Sequence, residues 1–358
     1  MLKICIIGDP HFKISNIQNV DLFTQKLLEK LEKDPPDLII CLGDVLDEHE
    51  RLHITPLNRA TEFLKALSSI SLTYVLVGNH DMLNNKQYLN SNHWMNSLKS
   101  WENLIVIDKP DFLLIEGFRF CFCPYVPPGK FVDALNTIKG EWEKSDIIFA
   151  HQEFRGCKMG AIISEEGDPW NENLPFVISG HIHSNQKIGG NIYYPGASMQ
   201  HAFGESSKNI IAFLNIPEEV PTNFFECIYE IDLGLPRKKI VYDEVLNFDE
   251  IKMENLTKGK GNENDEIKLT LSGTYEEYKN IQKSSKFKEL TENGIKIVYK
   301  QKRVEKKEHA NCLKGLSEKS DFMEILQDLV EKTKNGKAKV YLNHIFFDGD
   351  KDEDLILI

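Results

Sequence analysis

The sequence contains no run approaching the roughly 20 consecutive apolar residues that a membrane-spanning helix needs, so no spanning segment is expected. It shows no cleavable leader: Met1-Leu2-Lys3-Ile4-Cys5-Ile6-Ile7-Gly8 passes directly into a strand-like run, and the protein is expected to be soluble, intracellular and cytoplasmic rather than secreted. Cysteine is sparse. The seven thiols (Cys5, Cys41, Cys121, Cys123, Cys157, Cys227, Cys312) are odd in number and irregularly spaced, which excludes a disulfide framework and suits buried, reduced side chains. Cys121-Phe122-Cys123 has no second cysteine pair to complete a thiolate zinc site. Internal repeats are also lacking. What is present, 358 residues with 41% hydrophobic and 27% charged side chains, is the composition of a globular chain of two or three domains at roughly 100–200 residues each.

The formal net charge of −12 argues against a polyanionic partner until its distribution is considered. Residues 279–310 carry ten Lys and Arg against four Glu, so one basic segment sits on an otherwise acidic protein. Such a segment is either a solvated face or the electrostatic footprint of a nucleic acid.

Short apolar runs bounded by Gly, Pro, Asp or Asn predict strands at Ile4–Ile7, Leu38–Leu42, Tyr74–Val77, Leu104–Ile107, Phe112–Ile115, Phe118–Cys123, Ile147–Ala150, Phe176–Ile178, Ile192–Tyr194 and Ile210–Leu214. Between them, Val20, Phe23, Leu27 and Leu31 mark one helical face, and Leu57, Ala60, Phe63, Leu64, Leu67 and Ile70 another. The fold class is α/β, with helices packed over sheets. The texture changes after residue 243. A polar stretch, Thr257–Asn264, precedes a strand Ile267–Leu271, a helix Glu276–Leu290 and a strand Ile295–Tyr299; a final amphipathic helix is expected at Phe322–Val330 after the capping pair Asp321 and Glu324. The expected domains are 1–243, 244–310 and 311–358.

The chemistry lies where polar residues meet strand ends. Gly8-Asp9-Pro10-His11, Gly43-Asp44-Val45-Leu46-Asp47, Gly78-Asn79-His80-Asp81, His151 and Gly180-His181-Ile182-His183 each follow a predicted strand. In an open α/β sheet the crevice outside the carboxyl ends of the strands collects such segments. Seven side chains there can ligate a metal: Asp9, His11, Asp44, Asn79, His151, His181 and His183. They are too many for one four-coordinate zinc and suit two divalent ions sharing a carboxylate. Mixed carboxylate, amide and imidazole donors favour Mn²⁺, with Mg²⁺ or Fe as alternatives. A single histidine of this kind is more often a hydrogen-bonded core residue; five blocks in succession are not.

These five blocks, in this order, resemble the signature of the calcineurin-like metallophosphoesterase superfamily. Within it, Tyr193-Tyr194-Pro195-Gly196-Ala197-Ser198-Met199-Gln200-His201-Ala202-Phe203-Gly204-Glu205 and the basic segment resemble the SbcD-like DNA double-strand-break repair nucleases, in particular their phage and viral type. The resemblance implies a four-layer αββα sandwich over residues 1–243, a small α/β cap module binding DNA over 244–310, and a C-terminal helical docking segment over 311–358. It implies Asp9, His11, Asp44 and His183 around one metal, with Asp44 bridging to a second held by Asn79, His151 and His181. His80 is then the catalytic residue that contacts the scissile phosphate and protonates the leaving oxygen, with Asp81 or Asp47 as its orienting partner.

Many cellular nucleases of this kind carry histidine where this chain has Asp47, whereas other superfamily members have aspartate there. His49 and His53 read as solvated loop residues. The implied activity is Mn²⁺-dependent exonuclease and endonuclease hydrolysis at DNA ends, double-stranded or single-stranded, in repair or recombination. The implied partners are an SMC-type coiled-coil ATPase and a second copy of the chain, with no membrane. The alternative is a phosphatase or nucleotide phosphodiesterase with a regulatory C-terminal third, since it shares every ligand. A scaffold without chemistry would be expected to have lost ligands.

Overall fold

A computed structural model describes residues 1–160, 162–205, 208–257, 265–301 and 331. Fourteen strands in the first part of the chain are β1 Leu2–Ile7, β2 Leu38–Cys41, β3 Leu72–Leu76, β4 Leu104–Ile107, β5 Asp111–Ile115, β6 Phe118–Cys123, β7 Ile147–His151, β8 Lys158–Met159, β9 Ile162–Ile163, β10 Phe176–Gly180, β11 Gln186–Ile188, β12 Ile192–Tyr194, β13 Ile211–Ile216 and β14 Ile228–Ile231. Apart from the β8–β9 hairpin they form two six-stranded sheets, in the orders β14-β13-β1-β2-β3-β4 and β11-β12-β10-β7-β6-β5. In each sheet four neighbouring strands run parallel, flanked by antiparallel strands: β1-β2-β3-β4 in the first and β12-β10-β7-β6 in the second.

Strand periodicity explains the layering. Leu2, Ile4, Ile6, Leu38, Ile40 and Leu42 point to one side of the first sheet and meet Phe120, Phe122, Ile147, Phe149, Phe176 and Ile178 of the second, forming the core between the sheets. The intervening residues Cys5, Ile7, Ile39, Cys41 and Val75 face outward and pack under helices α1 (Ile17–Lys33) and α2 (Ile54–Ile70) through Val20, Phe23, Leu27, Leu31, Phe63, Leu64 and Leu67. On the far side, Cys121, Cys123, Ile148, Ala150 and Val177 are covered by Phe131, Ala134, Leu135 and Trp142. Strands buried on both faces are apolar throughout, the pattern that marks parallel sheets with two covered faces. Helix α1 stops before Pro35 and Pro36, which can neither donate to the helical ladder nor follow a helical residue comfortably. The result is the helix–sheet–sheet–helix sandwich that the family resemblance implies.

A third sheet differs from expectation. Strands β15 (Lys238–Glu244), β16 (Glu266–Gly273) and β17 (Ile295–Gln301) lie parallel in that order. The sequence pattern anticipates only the last two, and the boundary expected at 243/244 passes through β15. Lys238–Glu244 is half-exposed along its length, so it lacks the apolar alternation that announces a strand. The expected helix Glu276–Leu290 is two helices, Tyr275–Ile281 and Ser285–Glu292, because Ser284 caps the second by accepting from the Phe287 N–H at 3.1 Å. Val245, Phe248, Leu269, Leu271, Leu290 and Ile295 make a separate small core. The module joins the sandwich through Gln200, whose Oε1 accepts from Lys238 N at 2.7 Å and whose Nε2 donates to Lys238 O at 3.2 Å, and through Asn19 to Glu266 at 3.3 Å. The expected loop at 258–264 and helix at Phe322–Val330 lie outside the described residues, as do Cys312 and the rest of the 311–358 segment apart from residue 331. No described helix is long and apolar enough to cross a membrane.

Candidate metal centre

Because the core strands of each sheet run parallel, β1, β2 and β3 deliver their C-terminal ends to one side of the first sheet, and β7 and β10 to one side of the second. The β10–β7 register pairs Gly180 with His151 and so sets His181 beside it. All seven expected ligands converge there. His151 Nε2 and His181 Nδ1 lie 3.0 and 2.8 Å from Asn79 Oδ1, and His151 Nε2 lies 3.3 Å from Asp44 Oδ2. His11 Nε2 sits 3.5 Å from Asp44 Oδ2 and 3.0 Å from His183 Nε2. Asp9 Oδ1 accepts from the His181 backbone N–H at 3.0 Å. Two groups of mutually close donor atoms, Asp44-His151-His181 and His11-Asp44-His80, share Asp44.

The backbone is strained to achieve this. Asp9, His11, Asp44 and His181 all have positive φ, at 31°, 46°, 48° and 78°. Each such non-glycine residue costs about 1–3 kcal/mol, a cost the rigid sheets must hold in place. Gly78 gives the close approach: a Cβ there would collide with the Asp44 carboxylate and backbone nitrogen. Gly43, at φ +108°, occupies a conformation closed to other residues and lies against the His151 ring.

The donor chemistry fits divalent cations. Asp9 is fully buried, and its Oδ2 has no hydrogen-bond partner, a costly arrangement for a carboxylate unless a cation faces it. His11 and His183 aim like nitrogens at one another, and His151 and His181 converge on the acceptor oxygen of Asn79. Burial lowers the His11 pKa and, helped by the nearby His151 charge, brings His181 down to about 3, so both present neutral lone pairs. Burial would raise Asp44, but His151 and His11 outweigh it and hold its carboxyl well below the ordinary range. Burial opposes the charge on His151 too, yet Asp44 and Asp9 lift it to about 9, a proton that a bound cation would displace.

The residues behind the ligands are those that the sequence pattern left without roles. Glu205 accepts from His183 Nδ1 at 3.2 Å and from the backbone N–H groups of His201 and Ala202 at 2.8 and 2.9 Å. Burial would raise Glu205, but these donors bring it to about 2; burial likewise opposes the charge on His183, yet Glu205 and Asp9 raise its pKa. His201 Nε2 lies 2.8 Å from the Asp9 carbonyl. A histidine and an acid shortly after a His-x-His block were the available signal for this supporting layer.

His80 is held differently from expectation. Its Nδ1 lies 2.5 Å from the Asp47 backbone carbonyl, which can only accept, so Nδ1 carries a proton and Nε2 is the nitrogen left for other partners. The Asp47 carboxylate instead lies 3.2 Å from His11 Nδ1 and 3.1 Å from Lys13 Nζ; burial would raise it, but these two groups hold it far below its usual range. Asp81 does not orient His80 at all. It is buried among the Gly78 N–H, the Leu46 N–H and the Trp94 indole N–H at 3.0, 3.3 and 2.8 Å, and burial together with Asp44 lifts it to about 7. His53 is a surface residue paired with Glu48, whereas His49 stacks on His80 with ring centroids 4.7 Å apart and planes 10° from parallel.

The arrangement places two carboxylates, an amide and four imidazoles around a space for two cations, with His80 beside them. Residues 2–185 match the sequence profile of the calcineurin-like phosphoesterases. The chain is 41% identical over 335 residues to protein 078R of Invertebrate iridescent virus 3, covering 93% of each, and 45% identical over 285 residues to protein 244L of Invertebrate iridescent virus 6, covering 79% of this chain and 98% of that one. Both carry phosphoesterase names. A more distant similarity, 23% over 220 residues, joins it to exonuclease subunit 1 of Enterobacteria phage T4, over 58% of this chain and 62% of that one. With its strand-end ligands, its sandwich and these relatives in agreement, the chain belongs to the calcineurin-like phosphoesterase family.

Proposed function

We propose that this phosphoesterase is a DNA nuclease that hydrolyses phosphodiesters at DNA ends with Mn²⁺. The observation that carries the reading is the alignment with the T4 exonuclease subunit, which runs over 220 residues, more than the stretch 2–185 that matches the family as a whole. A lysine-bearing module beside the centre supports it. On β16, Ile267, Leu269 and Leu271 enter the module's core, so Lys268 lies on the opposite face, in register with Lys296 of β17. Lys238 and Lys268 also hold their ammonium groups 5.9 and 5.7 Å from the Phe203 ring, two residues from Glu205.

In this reading Asp9, His11, Asp44 and His183 hold one cation and Asp44, Asn79, His151 and His181 the other. Bound cations would activate a water and neutralise charge on the phosphate. Asp44 offsets the repulsion between them. The Asp47 carbonyl fixes Nδ1–H of His80, and the imidazolium form donates its Nε2 proton to the leaving oxygen, becoming the neutral ring; Glu205 and Asp47 fix the rings of His183 and His11. Lysines of the module hold the DNA backbone. The partner would be an SMC-type ATPase docked on the segment Phe322–Val330, whose sequence pattern is that of an amphipathic helix, and nuclease domains would pair as a homodimer.

Hydrolysis of end-labelled duplex DNA and of an aryl phosphomonoester, each with Mn²⁺, Mg²⁺ or chelator, tests the reading. Mn²⁺-dependent shortening of DNA with little monoesterase activity is expected. Rapid monoester turnover with intact DNA would make the chain a phosphatase.

A further inference from the structure

His49 covers one face of His80. The two imidazoles lie with ring centroids 4.7 Å apart and planes 10° from parallel, and His49 is anchored there by its own Nδ1, which donates to the Met82 carbonyl at 3.3 Å. Two further hydrogen bonds join the same stretches of chain. Leu46 N donates to Asp81 Oδ1 at 3.3 Å and His80 Nδ1 to the Asp47 carbonyl at 2.5 Å, so segments 46–49 and 80–82 are laced together around the His80 ring. His49 belongs to neither candidate donor group, and metal binding does not account for the stack. We propose that His49 is a positioning residue for His80: the stacked ring holds the imidazole at the tilt that aims Nε2 at the leaving oxygen. The inference rests on the phosphoesterase reading in which the imidazolium of His80 gives that proton, and adds to it the group that sets the aim.

One hydrogen bond does not fix that aim. A carbonyl oxygen accepts over a broad range of directions, so a ring tied to the Asp47 carbonyl at Nδ1 alone can still tilt and sweep Nε2 through an arc. Proton transfer needs its two heavy atoms about 2.6–3.2 Å apart, and a misplacement of about 1 Å can cost about a hundredfold in rate. His49 limits the tilt by covering a face of the ring, and the His11 ring limits it edge-on, 4.8 Å away with the planes at 83°. His11 is itself a candidate ligand. His49 comes from the loop before α2, so it can be changed without removing a ligand from the metal centre.

The leaving group isolates this role. A nitrophenolate departs without a proton whereas a nucleoside alkoxide needs one, so a misaimed acid slows cleavage of an alkyl ester far more than that of an aryl ester. On the full chain with Mn²⁺, kcat is compared for thymidylyl-thymidine and the nitrophenyl ester of thymidylate. His49→Ala should lower the ratio of the dinucleotide value to the aryl-ester value by about three- to tenfold, the size of one aromatic pair's contribution. His49→Phe keeps a flat face and loses both nitrogens, and should restore the ratio. Melting temperatures establish that each variant is folded. An unmoved ratio in His49→Ala would overturn the proposal, as would a ratio that His49→Phe leaves low, since the nitrogens and not the stack would then matter. His80→Asn is the reference. A ratio that falls there and not in His49→Ala defeats the positioning role and leaves the proton donor standing; a ratio unmoved in His80→Asn defeats the donor reading, and the aim of His49 with it.

A second measurement needs no catalysis. In chelator-treated protein carrying isotope-labelled histidine, the His80 Nδ1 proton held by the Asp47 carbonyl should give a sharp NMR resonance, assigned by its loss in His80→Asn. His49→Ala should broaden it and His49→Phe should restore it. An equally sharp resonance in wild type and both His49 variants would show that the ring needs no stack and would reject the proposal, whatever ester the protein cleaves.

Discussion

His80 is positioned by the backbone of Asp47, not by its side chain: Nδ1 of the imidazole meets the Asp47 carbonyl at 2.5 Å, while the Asp47 carboxylate faces His11 and Lys13. One residue therefore supports two functional side chains through two different groups. Substitution can separate them. Asp47→Asn keeps the carbonyl and should leave His80 oriented, so the pH profile of kcat should retain its wild-type acid and base limbs. Losing the charge beside His11 should lower metal affinity about 10- to 100-fold, the usual effect of removing a partner behind a ligand. Metal titration and a pH–rate profile check both halves. A changed profile with intact metal binding would mean that the carboxylate serves His80 after all.

His80→Asn removes the proposed proton donor while keeping a side chain of similar polarity. kcat should fall by about 10²–10⁴-fold with KM and bound metal little changed. Metal analysis of the purified variant separates this role from ligation, since His80 also lies close to His11 and Asp44. Loss of metal would place it among the ligands.

Asp44 is the only residue common to both candidate donor groups. Asp44→Asn should abolish hydrolysis and reduce bound metal, because the bridge loses its charge where two cations would meet. Gly78→Ala should reach a similar end by packing, since the added methyl would be forced into the Asp44 carboxylate and would destabilise the fold by about 1–3 kcal/mol. Metal content and melting temperature distinguish the two: the first variant loses metal from an intact fold, the second loses both.

The candidate ligands were legible because each is tied to a strand end, where a short apolar run stops at Asp, Asn or His, in four of the five blocks after a Gly. The sandwich was legible for the same reason, as strands covered on both faces must be apolar at every position. The supporting layer was not. Glu205 reaches His183 across 22 residues and His80 rests on a carbonyl, and neither relation leaves a periodic trace. Strand β15 escaped notice because its residues are half-exposed and mixed in polarity. His49 resembled a loop histidine in sequence, yet its ring is stacked on His80.

Glu205 gives a pH prediction. Its carboxyl is held at about 2 in the folded protein, against roughly 4.3 for an unperturbed glutamate. A depressed folded value means that its contribution to stability is full above the unfolded value and is lost as pH falls from there toward 2. In chelator, wild type should therefore lose stability more steeply between about pH 4.5 and 2 than Glu205→Gln, which should be less stable at neutral pH. Urea unfolding across that range is the measurement. Parallel curves for the two proteins would show that the His183–Glu205 contact contributes nothing linked to protonation.

Lys268 and Lys296 stand in register on the face of β16 and β17 opposite the module's core, and Lys268 also leans over Phe203. If this face holds DNA, the contact is electrostatic and must be weakened by salt, since each neutralised phosphate releases condensed counterions. Replacing both lysines with alanine should reduce the slope of log affinity against log salt by about 1.8 on duplex DNA or about 1.4 on single strands. Hydrolysis of a small diester needs only the metal centre, so its kcat should stay at the wild-type level. Fluorescence anisotropy across a salt series, read beside small-diester turnover, checks both statements. An unchanged slope would remove these lysines from the DNA path, and a fall in small-diester turnover would show that the module supports the centre structurally instead.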